Sequence, residues 1–97
     1  SGGDPIEQAH SFAYMAKAFK KANLNIWCYT GYTFEKLLEL MKKNENIRML
    51  LNNIDVLVDG RFEIMNRNEE LKFKGSTNQR IIDVKKSLEY GNIIVIG

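Results

Sequence analysis

Asn25-Ile26-Trp27-Cys28-Tyr29-Thr30, closed by Gly31, and Ile54-Asp55-Val56-Leu57-Val58, closed by Asp59-Gly60, decide the fold. Each run is short, rich in β-branched or aromatic residues and bounded by glycine, the pattern of a buried strand. Between them, Thr33 can cap a helix whose apolar stripe is Phe34, Leu37, Leu38 and Met41, with Lys42 and Lys43 at its end. A short amphipathic turn is expected over Ile47 to Leu51. Upstream, Asp4 can cap, Pro5 suits the first helical position and Glu7 can reach back from the third. Ile6, Ala9, Phe12 or Ala13, Ala16 and Phe19 then recur at helical spacing, so a helix is expected from about Pro5 to Asn23. The order helix, strand, helix, strand implies parallel strands joined by right-handed crossovers. The expected class is therefore α/β, a parallel sheet with flanking helices.

The last third is less regular. Leu71 to Lys74 can be extended, Gly75 to Asn78 is a loop, and Ile93 to Ile96 reads as a terminal strand. Arg80 to Leu88 is ambiguous: Ile81, Ile82 and Val84 favour a strand, whereas Lys85 to Glu89 tolerates a helical turn. With 97 residues and neither an internal repeat nor a linker, one domain over residues 1–97 is expected.

Composition narrows the class further. Hydrophobic residues make up 44% and charged residues 27%, which argues against wholesale disorder. Fourteen basic against twelve acidic residues leave a net charge of +2, too little to favour nucleic acid or a membrane surface. Apolar runs such as Ile93-Ile94-Val95-Ile96 fall far short of the roughly 20 residues a spanning helix needs. No charged-then-apolar opening suggests secretion, and a single cysteine, Cys28, suits a reducing compartment. Cys28 with the lone His10 cannot build a structural zinc site, so no metal ligands are assigned. His10 has no sequence-near acid or nucleophile, and no catalytic residue is assigned either.

Three glycine loops are the candidate site: Gly2-Gly3-Asp4, Thr30-Gly31 and Asp59-Gly60. The last two follow expected strands, and ligands of parallel sheets bind at the carboxyl ends of strands. Glycines let a ligand approach the backbone, and Asp4 can hold an ammonium by a charge-assisted hydrogen bond. Gly75-Ser76-Thr77-Asn78-Gln79-Arg80 is a polar loop carrying a guanidinium, and Met65 to Glu70 reads as an exposed loop.

Ser1-Gly2-Gly3-Asp4-Pro5, Ile26-Trp27-Cys28-Tyr29-Thr30-Gly31-Tyr32, Ile54 to Gly60 and Phe73 to Val84 together resemble the family of anaerobic ribonucleoside-triphosphate reductase activating proteins. These are radical S-adenosylmethionine enzymes of the glycyl-radical activase group. The resemblance implies an incomplete, TIM-like radical enzyme barrel, of which these residues would be the carboxyl-terminal portion. It also implies a [4Fe–4S] cluster held by three closely spaced cysteines, with S-adenosylmethionine cleaved reductively on it to a radical that takes a hydrogen from a glycine of the reductase. Thiolates are the ligands such clusters require, and this chain lacks the triplet; Cys28 reads as core. By the same resemblance, Gly2, Gly3 and Asp4 would meet the methionyl ammonium, Thr30 and Gly31 the cofactor by backbone, and Asp59 and Gly60 its ribose or methionine part.

The implied setting is cytoplasmic, with the reductase and an electron donor such as flavodoxin as partners. The isolated chain is expected to be inactive and to self-associate through an exposed sheet edge. Another small radical S-adenosylmethionine enzyme, or a non-catalytic module on the same scaffold, are the alternatives.

Overall fold

The computed structural model describes residues 3–97. Helix α1 spans Ala9–Lys21, strand β1 Trp27–Tyr29, helix α2 Phe34–Leu40, helix α3 Glu45–Asn53, strand β2 Val56–Asp59, strand β3 Arg80–Asp83 and helix α4 Val84–Tyr90. The strands form one sheet in the order β1-β2-β3. β1 and β2 are parallel, with Cys28 opposite Leu57. β3 returns antiparallel to β2, with Asp59 opposite Arg80.

The sheet is thus mixed, which corrects the expectation of a parallel one. A parallel partner needs a crossover, usually a helix, to carry the chain back over the sheet. Residues 60–79 provide only a 3₁₀ turn at Ile64–Asn66, so the chain re-enters from the same end and pairs antiparallel.

Apolar alternation sorts the two sheet faces. Cys28, Leu57 and Ile82 join one core with Ile6, Ala9, Ala13 and Ala16 beside α1, Phe34 and Leu37 of α2, and Ile47, Leu50 and Leu51 of α3. Val56, Val58 and Ile81 form a smaller cluster with Trp27, whose ring lies 5.2 Å from that of Phe73 at 54°. α1 and α3 pack closely on each other and close the first core.

Local chemistry explains where the elements depart from expectation. The chain from Pro5 to Gln8 forms turns, and α1 starts only at Ala9, without a side-chain cap at Gln8. The Asp4 carboxylate accepts from Ile6 N but also reaches across to the β1 loop, and Glu7 accepts from the Tyr32 hydroxyl instead of returning to the cap. Asn23 ends the helix with φ of 62°. Thr33 caps α2 as expected, accepting from Lys36 N at 3.2 Å. The turn expected at Ile47–Leu51 is a nine-residue helix because Asn44 caps it, accepting from Asn46 N and Ile47 N. Arg80 to Leu88 is strand and helix in turn, with Asp83 as the cap between them. Leu71–Lys74 forms no strand; Phe73 has φ of 70°, which no strand residue adopts. Ile93–Ile96 runs beside β3 but forms only an isolated bridge, Val95 to Ile82.

Opposite the strand ends that carry the glycines, Asp55 ties α1 to the sheet. It accepts from Lys20 Nζ at 2.6 and 2.7 Å and from Ile26 N at 2.8 Å, with Lys85 Nζ at 3.8 Å. Burial pushes the Asp55 carboxyl up, but the Lys20 bond, the Ile26 N–H and the two positive charges outweigh it and hold it below its ordinary value. A carboxylate depressed in the folded state stabilises the fold above its unfolded pKa of about 3.9 and loses that contribution as pH falls through its folded pKa. The urea midpoint should therefore drop on acidification below about pH 4, and Asp55→Asn should flatten that drop. A variant whose midpoint falls as steeply as wild type would show that Asp55 is not the group responsible.

Candidate functional site

The three glycine loops meet at one end of the sheet. Asp4 is the centre: its carboxylate accepts from Thr30 Oγ1 at 2.8 and 3.0 Å, from Gly31 N at 2.8 Å and from Ile6 N at 3.0 Å. Thr30 is buried at the end of β1, and its hydroxyl also accepts from Tyr32 N at 3.1 Å. The aspartyl–glycine corner joins through Gly60 N, which donates to the Tyr32 carbonyl at 3.0 Å. Gly60 adopts φ of 92°, a conformation that side chains strain to reach, so glycine is required at this corner.

Gly3, Asp4, Thr30, Gly31 and Gly60 line one depression with Phe62 and Gln79, and Gly31 also lines two neighbouring ones. One of these, about 270 Å³, is bounded by Asp4, Glu7, Gly31, Tyr32 and Arg61. The other, about 550 Å³, extends along Thr33, Glu35, Asp59, Gly60, Arg61 and Arg80. The structure therefore brings Gly3, Asp4, Thr30, Gly31, Asp59 and Gly60 to one rim; Gly2 lies outside the described residues.

Their roles in the fold differ. Asp59 is 1% exposed; it accepts from Phe34 N at 2.8 Å and from Arg80 Nε and Nη2 at 3.0 and 2.5 Å. It anchors the start of α2 and is almost wholly covered. Arg80 also forks onto Glu35 at 2.6 and 3.2 Å, and both acids, Asp59 first, push its pKa further up. Asp4, by contrast, is half-buried and keeps capacity: two carboxylate oxygens offer about four acceptor sites, and three donor groups use them.

Arg61 is the rim residue that the sequence reading did not single out. It is exposed and lines the same depression as Asp4 and Gly31. A Cβ added at Gly31 would sit 3.5 Å from Arg61 Cγ and 3.6 Å from Asp4 Oδ2, so the aliphatic stem of the arginine and the carboxylate both border the space beside this glycine. The signal was available: Arg61 directly follows the aspartyl–glycine corner. Tyr32 feels the whole cluster, its hydroxyl pushed up by burial, by Glu7 and by Asp4 against a smaller opposing pull from Arg61.

Cys28 supplies no cluster ligand. It is 7% exposed, and burial followed by the Asp4 charge pushes its thiol up to about 12, which disfavours the thiolate that iron requires. Among the described residues no group of three His, Cys, Asp or Glu side chains could hold a metal ion. The residues present therefore do not fit a [4Fe–4S] cluster. No helix of the described residues is long and apolar enough to cross a membrane.

An α/β domain whose strand ends and glycine turns converge on one carboxylate has the layout that open sheets use to bind ligands. Residues 1–82 match the family of 4Fe-4S single cluster domains, and the chain belongs to that family. It is similar to the anaerobic ribonucleoside-triphosphate reductase-activating protein of Vibrio cholerae, 35% identical over 85 residues that cover 84% of this chain and 51% of that one. The proteins of the same name from Pasteurella multocida and Haemophilus influenzae are 34% and 38% identical over 86 residues, with the same coverage. The chain thus spans about half the length of the curated relatives it matches, and the resemblance read from its four segments is borne out. No solved structure matches it.

Proposed function

We propose that this chain serves the activation of an anaerobic ribonucleoside-triphosphate reductase, and that its rim holds the amino-acid end of S-adenosylmethionine. The observation that carries the reading is the depression at Gly31, which the Asp4 carboxylate and the Arg61 side chain both line. An α-amino acid presents an ammonium and a carboxylate two bonds apart, and paired opposite charges beside a bare backbone complement it. Asp4 would take the ammonium at its remaining acceptor site, Arg61 would meet the carboxylate, and Gly31 and Gly60 would let the ligand approach the chain. S-adenosylmethionine, if cleaved by an electron from a cluster held outside this chain, would supply the radical that takes a hydrogen atom from a glycine of the reductase.

The chain's own residues bind and orient; the cluster ligands would come from outside the set described, so the chain alone would be inactive. The relatives' names support the reductase as partner. A flavodoxin-type electron donor, a cytoplasmic setting, a place at the carboxyl-terminal side of a partial radical enzyme barrel, and self-association through the free edge of β1 belong to the same reading.

The test is a nuclear magnetic resonance titration of the chain with S-adenosylmethionine and with methylthioadenosine, which lacks the amino acid. The expected result is weak binding of S-adenosylmethionine that shifts the Gly31 and Gly60 amides, with weaker binding of methylthioadenosine. Arg61→Gln should lower affinity for the first about tenfold and leave the second unchanged, since a hydrogen bond to a charged group is worth about 1.5–3 kcal/mol. Equal affinity of the wild-type chain for both ligands would overturn the reading.

A further inference from the structure

The polar segment Asn78-Gln79-Arg80 passes antiparallel to the corner Asp59-Gly60-Arg61, and each of its side chains grips one residue of that corner. Asp59 opposite Arg80 is the last rung of the β2–β3 ladder. Beyond it, side chains continue the pairing. Arg80 Nε and Nη2 donate to the two Asp59 carboxylate oxygens. Gln79 Nε2 donates to the Gly60 carbonyl at 2.9 Å, and Asn78 Nδ2 donates to the Arg61 carbonyl at 2.8 Å. Three consecutive residues thus fix three consecutive residues.

Gln79 is the knot of this arrangement. While its amide nitrogen holds Gly60, its amide oxygen accepts from Gly75 N at 2.8 Å and Ser76 N at 3.2 Å. Ser76 is fully buried and accepts in turn from Glu63 N at 3.2 Å. The Gln79 carbonyl takes Lys74 Nζ at 3.0 Å. One side chain therefore ties the corner to the loop at Gly75–Ser76, at a place where Gly60 has no neighbouring strand to hold it. A corner with positive φ and an exposed arginine is not rigid by itself; a backbone position displaced by a fraction of an ångström would carry the guanidinium away from its target.

We infer that Asn78, Gln79 and Arg80 are positioning residues, and that Gln79 in particular sets the depth at which Arg61 meets the carboxylate of the ligand. The inference rests on the reading of the rim as the site of the S-adenosylmethionine amino acid. None of the three needs to touch the ligand carboxylate; their effect passes through the Gly60 and Arg61 backbone.

Gln79→Glu tests it. The variant keeps an acceptor for Gly75 and Ser76 N–H but turns a carboxylate oxygen on the Gly60 carbonyl, replacing a bond by a repulsion. The same titration should show S-adenosylmethionine binding about tenfold more weakly than wild type, with methylthioadenosine affinity changed less than about twofold. A merely structural role would lower both affinities together, and a charge added to the rim could act on the ligand directly. The readout is therefore the ratio in Gln79→Glu taken with that in the uncharged Asn78→Ala. Should Gln79→Glu fail to fold, Asn78→Ala, at an exposed position, should lower the ratio in the same direction by a few-fold. A wild-type chain that fails to distinguish the ligands overturns the reading of the rim and the inference with it. A wild-type chain that distinguishes them, beside variants that do so equally well, overturns the positioning role alone.

Discussion

Asp59→Ala is expected to cost about 3 kcal/mol of stability, a large share of the roughly 5–15 kcal/mol that holds a domain of this size together. Three donors converge on this carboxylate at 1% exposure: Phe34 N, Arg80 Nε and Arg80 Nη2. Removing it strips the first turn of α2 of an acceptor and leaves half of a buried ion pair, and the loss of one partner costs more than the pair contributed. Arg80 limits the damage, because its side chain is 32% exposed and keeps Glu35. In urea the midpoint should fall by at least about 1 M, given slopes near 1–3 kcal/mol/M for small proteins. Glu35→Gln is the internal comparison. Glu35 grips the same guanidinium at 2.6 Å but is 59% exposed, where an ion pair contributes about 0–1 kcal/mol. The ranking follows burial rather than distance. If Glu35→Gln costs as much as Asp59→Ala, the buried end is not the anchor.

That same pair shows what a sequence conceals. Asp59 and Arg80 lie 21 positions apart, and the turn chemistry of Asp-Gly explains the corner without any partner. Only the antiparallel return of β3 sets Arg80 opposite Asp59. The direction of that return was hidden for a related reason: periodicity reports burial along one segment, not the sense in which the chain comes back. Where local chemistry decides, the reading succeeds. Thr33 caps α2, Asp59-Gly60 stops β2, and the α2 stripe buries Phe34 and Leu37. Where a side chain has two possible partners, it fails. Asp4 and Glu7 fit a helix start by spacing, yet both turn toward the β1 loop, and the helix begins at Ala9. The rim itself was legible because glycines after strands mark strand ends wherever the strands lie. Arg61 was missed because its one local mark, following the aspartyl–glycine corner, is weak for a lone exposed arginine until the fold brings it beside Gly31 with Asp4.

Asp4→Asn should produce the largest loss of ligand affinity, roughly 100-fold for S-adenosylmethionine, with methylthioadenosine unaffected. The asparagine keeps the shape but only one carbonyl oxygen, so of the Ile6 amide on Oδ1 and the Gly31 amide on Oδ2 it holds one and loses the other. It loses the negative charge, and it turns an amide N–H₂ toward one of the three donors that the carboxylate accepts: Thr30 Oγ1, Gly31 N or Ile6 N. An ammonium then meets a dipole where it met an anion, in a half-buried setting that screens charge less than water does. Asp4→Ala separates the two roles. It removes the acceptor altogether, so Gly31 N and the Thr30 hydroxyl lose their partner and the fold itself should weaken by about 1–2 kcal/mol. The measurements are the two-ligand titration and the urea midpoint for each variant. Asparagine should lose binding with a smaller fall in midpoint than alanine, which keeps neither acceptor. An asparagine variant that binds S-adenosylmethionine like wild type would make Asp4 a strut of the β1 loop and nothing more, because a strut works through hydrogen-bond acceptors, whereas an ammonium needs the charge.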